Sequence, residues 1–150
     1  YAITCAKVQN LAAADLVLSS TTTTMALQRI LIKTHHMTSR KKIGIITRAT
    51  KRLDCSVLLK VGANPGIMLC EGHENRASEW ETVVRKLRYK DMRLLKRESI
   101  SELHLATLGV KEGDVEEMEE IKDFAKLLEK DPRLFHSWRV GMGYVKDDGE

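Results

Sequence analysis

The sequence predicts an α+β domain of ferredoxin-like order, β-α-β-β-α-β, with two helices on one face of a four-stranded sheet and extra helices at both ends. Two observations predict it. Hydrophobic residues alternate between a period of two and a period of 3.6 in that order from Ile30 to Lys96. Turn and cap residues punctuate each change of period.

The first strand runs Ile30 to Thr34, with Ile30 and Ile32 on one face and Arg29, Leu31 and Lys33 on the other. Thr38 or Ser39 can cap the helix that follows, Ser39 to Leu53, along which Ile43, Ile46, Thr50 and Leu53 form a stripe toward a core. Lys41, Arg48, Lys51 and Arg52 lie away from that stripe. Strands follow at Cys55 to Val61 and Ile67 to Cys70, joined through Asn64-Pro65-Gly66, which fits the central places of a type II turn. Glu71-Gly72 leads into a second helix, Asn75 to Arg88, where Ala77, Trp80, Val84 and Leu87 repeat the apolar stripe and make Trp80 a core residue. Asp91 to Lys96 closes the core as an edge strand guarded by charge.

The third strand is apolar on both faces, so a layer must cover the face the two helices leave bare. Leu31, Leu58, Met68 or Leu69, and Leu95 call for that lid. The C-terminal region can supply it. Gly113 to Asp131 reads as one amphipathic helix with Val115, Met118, Ile121, Phe124 or Ala125, and Leu128 on one face. Pro132 then opens a second helix carrying Leu134, Phe135, Trp138 and Val140. At the other end, residues 1–26 read as a short helix and a linker with six consecutive hydroxyl residues, Ser19 to Thr24. The organisation is therefore an N-terminal segment 1–26, a core 27–98 and a C-terminal helical extension 99–150.

With 150 residues, 43% hydrophobic and 31% charged, the chain falls in the ordinary globular range. It lacks both an apolar run of the roughly 18 residues a membrane span needs and a signal-peptide pattern. The expected location is nuclear or cytoplasmic. Three cysteines, Cys5, Cys55 and Cys70, suggest reduced thiols, with neither a disulfide framework nor zinc-ligand spacing. Starting at Tyr1 rather than at methionine, the chain reads as a segment of something longer.

Charge divides the chain. Arg29 to Arg97 holds 17 Lys or Arg against 6 Asp or Glu, a net +11, whereas Glu98 to Glu150 holds 7 against 14, a net −7. A basic fold with an acidic tail implies a polyanionic partner, or a tail that lies over the fold. Arg40, Lys41 and Lys42 occupy the first turn of a helix, where the dipole disfavours cations by about 0.3 to 1 kcal/mol each. An anion at that helix end would reverse the penalty.

His35-His36-Met37-Thr38-Ser39-Arg40-Lys41-Lys42-Ile43, Pro65-Gly66-Ile67-Met68-Leu69-Cys70-Glu71-Gly72, Trp80 with Arg85-Lys86-Leu87, and Lys96-Arg97-Glu98 together resemble the C-terminal domain of the RWD-domain-containing protein 2 family. That domain is in turn related to the C-terminal domain of the spliceosomal pre-mRNA-processing factor three. The resemblance covers roughly Ile30 to Val145. It implies a ferredoxin-like fold with extra helices and, through the spliceosomal relative, binding of small nuclear RNA.

Enzymatic readings find little support in the residues. His36-Met37-Thr38 fits half of a two-histidine phosphoesterase, but His73, His104 and His136 lack the matching second copy. His35 and His36, adjacent on extended chain, should point apart and lack a third metal ligand. The expectation is a non-enzymatic domain without metal, cofactor, membrane or small-molecule substrate. Its partner is read as RNA, met through phosphates by His35, His36, Arg40, Lys41, Lys42, Arg48, Arg85, Lys86, Arg88 and Lys90, because the strands lack the aromatics that stack bases. The alternative is a protein-protein interaction module with no nucleic-acid ligand.

Overall fold

The computed structural model describes residues 26–147. The expected N-terminal helix and hydroxyl-rich linker lie outside those residues. Among the described residues the elements run β1 Leu27–Thr34, α1 Arg40–Arg52, β2 Ser56–Lys60, β3 Gly66–His73, α2 Glu74–Lys86 and β4 Arg93–Ile100. An extension follows: α3 His104–Thr107, β5 Val115–Met118, α4 Ile121–Glu129 and α5 Pro132–Met142. No helix among the described residues is long and apolar enough to cross a membrane.

The sheet order is β4-β1-β3-β2-β5, in which the first four strands have the ferredoxin-like arrangement with antiparallel pairing throughout. The fifth strand corrects the sequence reading. Val115 to Met118 is not the start of a long helix but pairs in parallel with β2. Glutamate-rich sequence favours helix only weakly, and tertiary context overrides it. Here the open edge of β2 needs partners: Asp114 O accepts from Val57 N at 3.2 Å and Met118 O accepts from Val61 N at 2.8 Å. Gly113, at φ +91°, turns the chain into that edge.

Other boundaries move as well. Leu27–Thr34 and Gly66–His73 are longer than their sequence readings, so Glu71 and Gly72 belong to β3 rather than to the lead into α2. The type II turn is also replaced. Asn64–Pro65 is a cis peptide, Gly66 opens β3, and the left-handed residue of this connection is Gly62, at φ +86°.

Both faces of the sheet are buried. On one, Ile30, Ile32, Val57, Leu59 and Met68 pack under Ile43, Ile46 and Ala49 of α1 and Ala77, Trp80 and Val84 of α2. Trp80 is fully buried and its Nε1 donates to Thr50 Oγ1 at 3.0 Å, which fixes α2 against α1. On the other face Leu31, Leu58, Ile67 and Leu69 lie under Leu105, Val110, Phe124, Leu128, Leu134 and Trp138. The lid expected from the C-terminal helices is thus in place, and Leu69 rather than Met68 faces it. Gly141 lets α5 approach closely, since a Cβ there would lie 2.6 Å from Leu31 Cδ2.

Asp131 sets the start of α5. Its Oδ1 accepts from the amides of Arg133 and Leu134, both at 3.2 Å, and its Oδ2 accepts from His104 Nδ1. Burial alone would raise this carboxyl, but His104 and the two amides outweigh it and hold it below the ordinary 3.8. A carboxyl more acidic folded than unfolded adds stability above the unfolded value, and that stability is lost as pH falls through the folded value. Asp131→Ala should therefore cost about 1 kcal/mol at neutral pH, the usual worth of an N-cap. In thermal melts the gap between wild type and variant should close in strong acid; a gap that persists there would contradict this assignment.

Candidate functional site

With both sheet faces occupied, the chemistry-bearing side chains gather at the end of the sheet where β1 leaves for α1. Ser39 caps α1 by accepting from Lys42 N at 3.2 Å. The chain from α2 to β4 passes close by, with Arg88 and Asp91 both at φ +56°, and Lys90 O accepts from His35 N at 3.0 Å. That bond sets two loops side by side. Between them lies a recess of about 200 Å³, lined by His36, Ser39, Lys42, Arg88, Tyr89 and Lys90 among others.

No ion pair among the described residues engages Lys42, Arg88 or Lys90. Lys42 Nζ instead stands over the Tyr89 ring, 4.9 Å from its centroid, a cation–π contact. Tyr89 is 8% exposed and its hydroxyl has no hydrogen-bond partner among the described residues. A buried phenol without a partner is uncommon, because such groups normally find one. Burial pushes its ionisation up to about 12, against a smaller opposing influence of Arg40, so the group stays a neutral O–H donor.

The ten residues expected to contact phosphates do not form one surface. His36, Lys42, Arg88 and Lys90 converge on the recess. His35 lines a separate hollow of about 490 Å³ with Lys33, Asp91 and Arg93. Arg40 is drawn to β5, where its two guanidinium nitrogens donate to Glu117 at 2.8 and 3.1 Å, and this pairing raises its ionisation. Arg85 and Arg97 both reach the buried carboxylate of Glu81, with Arg85 Nη2 at 2.6 Å. Lys41, Arg48 and Lys86 are exposed side chains that do not line the recess.

The two histidines do not diverge as expected. The chain bends at His35, and the rings meet edge to face with Nδ1 atoms 2.9 Å apart, so each occupies the other. Among the described residues no three His, Cys, Asp or Glu side chains cluster as a metal site requires. Tyr89 is the residue that sequence reasoning misses, because it falls there between the second helix, Asn75 to Arg88, and the last strand, Asp91 to Lys96. Its position between Arg88 and Lys90 was the available signal.

No family model matches the chain, and no curated protein matches it either. Solved structures share its fold. A BLUF protein, BlrB in its dark state, aligns with a TM-score of 0.52 and 15% identity over 79% of this chain and 96% of that one. The BLUF domain of BlrP1 gives 0.50 and 14% identity over 74% and 77%. A bacterial light-regulated adenylyl cyclase gives 0.50 and 12% identity over 77% of this chain, which spans only 39% of the cyclase. At these identities the likeness establishes the ferredoxin-like fold and no more.

These comparisons correct one reading. The neighbours are BLUF proteins and a light-regulated cyclase, not RNA-binding or ribonucleoprotein-related chains. The geometry gives the physical reason: an RNA backbone needs a continuous track of free cations, and Arg40 and Arg85 are already bound to Glu117 and Glu81.

In a pH titration, the difference between wild type and Tyr89→Phe should show phenolate absorbance only near pH 12. Ionisation of that phenol near the ordinary value of 10.0 would mean Tyr89 is open to water.

Proposed function

We propose that this chain is a non-enzymatic protein-interaction module that docks an acidic partner at the recess between α1 and the loop Arg88 to Lys90. One observation carries the reading: Lys42, Arg88 and Lys90 ring a single hollow without carboxylate partners among the described residues, while neighbouring arginines are neutralised within the fold. Leaving three cations unpaired around one point costs electrostatic repulsion, which an acidic group from outside would remove. The fold's occurrence as part of a longer light-regulated cyclase also supports a module that works through attached or docked protein.

Kinship with the C-terminal domain of the RWD-domain-containing protein 2 family belongs to this proposal. The motif His35 to Ile43 forms one wall of the recess, and Pro65 to Gly72 supplies most of the central strand β3.

The test is retention on immobilised chain from nuclease-treated extract. The wild type should hold a discrete set of proteins that a variant carrying Arg88→Glu and Lys90→Glu releases, with both chains showing the same unfolding transition. Equal retention by the variant, or capture of nucleic acid alone before nuclease, would sink the reading.

A further inference from the structure

We infer that His35 and His36 form a proton-operated latch between the two hollows at this end of the sheet: one proton between their facing nitrogens holds the rings together, and a second parts them. Their Nδ1 atoms lie 2.9 Å apart, and the rings meet edge to face with centroids 5.1 Å apart. A hydrogen bond between two ring nitrogens needs one N–H and one bare nitrogen. One ring therefore carries its proton on Nδ1 while the other keeps Nδ1 free and carries its proton on Nε2. The donor ring can take a further proton on Nε2 and keep the bond. Once the acceptor ring is also charged, two N–H groups face each other and the bond is gone.

The backbone on either side is pinned. His35 N donates to Lys90 O at 3.0 Å, and Met37 exchanges two hydrogen bonds with Gly62, at 2.9 and 2.8 Å. Parting therefore falls on the side chains, and His36, exposed where His35 is half-buried, is the ring placed to turn. His35 lines the larger hollow and His36 the recess, so the latch joins the two. The surrounding charge acts in the same direction. Lys33 of β1 and Arg93 of β4 line the first hollow, Lys42 of α1 with Arg88 and Lys90 lines the second, and Asp91 is the one carboxylate among the described residues lining either. Asn64 and Met142, which bring the β2–β3 connection and α5 to the first hollow, add no charge, and Tyr89 in the second stays neutral. Two imidazolium rings in contact amid those cations repel one another and their surroundings. Histidine changes charge between about pH 5 and 8, so mild acid is the trigger. The recess then gains the charge of His36 and loses the ring contact that ties it to the neighbouring hollow. What this does to a docked acidic partner rests on the interaction reading above; the latch itself is a property of the chain alone.

Imidazole and amide spectra of the purified chain, recorded from about pH 7.5 to about pH 5, test it over the interval in which histidine changes charge. At the upper end one of the two rings should carry its proton on Nδ1 and the other on Nε2, with a cross-relaxation signal between them. At the lower end that signal should vanish while the amides of residues 36 and 88–90 shift and those of β3 keep their positions. His35→Ala should change the tautomer and the titration curve of His36, and His36→Ala those of His35, because facing rings titrate as a pair. The rings of His73, His104 and His136 should behave alike in all three chains. Protons on Nε2 in both rings at the upper end, a ring-to-ring signal that survives full charging, or a His36 curve indifferent to His35→Ala each overturns the inference. Any of these failures leaves the interaction reading standing, because retention through Arg88 and Lys90 is measured separately.

Discussion

A charged ladder across three strands governs how this fold closes. Glu98, Arg29 and Glu71 lie directly opposite one another on β4, β1 and β3. Arg29 Nε donates to Glu71 at 2.7 Å and its Nη1 donates to Glu98 at 2.9 Å. Glu71 is fully buried, and its second oxygen accepts from the amide of Leu105 in the lid at 2.7 Å. Ser137 of α5 donates to Glu98, which burial would raise but which this hydroxyl and Arg29 bring below the ordinary carboxylate range. A buried carboxylate is tolerated only when its charge and lone pairs are satisfied, and removing one partner of such a pair costs about 3 to 5 kcal/mol. The ladder is complete only in this register and with the lid seated.

That constraint makes the extension an integral layer instead of an appendage. Leu105, Phe124, Leu128, Leu134 and Trp138 close the second face while β5 closes the edge of β2. With both faces and the edge of β2 covered by the chain itself, the sheet keeps its outer edges, β4 and β5, and its loop ends, and the recess lies at the end where β1 leaves for α1. There the acidic extension neutralises Arg40 but leaves Lys42, Arg88 and Lys90 untouched. The opposite charges of the two halves therefore meet locally, where Glu117 of the extension pairs with Arg40 of α1.

Much of the scaffold was legible in the sequence because it depends on periodicity. The stripes Ile43, Ile46, Thr50 and Ala77, Trp80, Val84 are the buried faces of α1 and α2, and the two-sided apolar run Ile67 to Cys70 correctly demanded a lid. Two features escaped because they are tertiary. The segment Val115 to Met118 has the composition of a helix and becomes a strand only because β2 offers an open edge. Glu71 reads in the sequence as part of the lead into α2, and its burial follows from Arg29 standing across the ladder, a pairing no local pattern specifies. The recess was half legible. His36, Lys42, Arg88 and Lys90 were expected to act together, but ion pairs with Glu117 and Glu81 separate Arg40 and Arg85 from them, and such pairs depend on which elements become neighbours.

The central claim is that lid and sheet fold as one cooperative unit through Glu71. Native-state hydrogen exchange at the Leu105 amide tests it directly, because local opening would free that proton without disturbing the sheet. The account predicts that Leu105 exchanges at the same free energy as the amides of Met68 and Cys70 in β3. Exchange of Leu105 at a much lower free energy, with β3 still protected, would show that the lid opens alone and would contradict it.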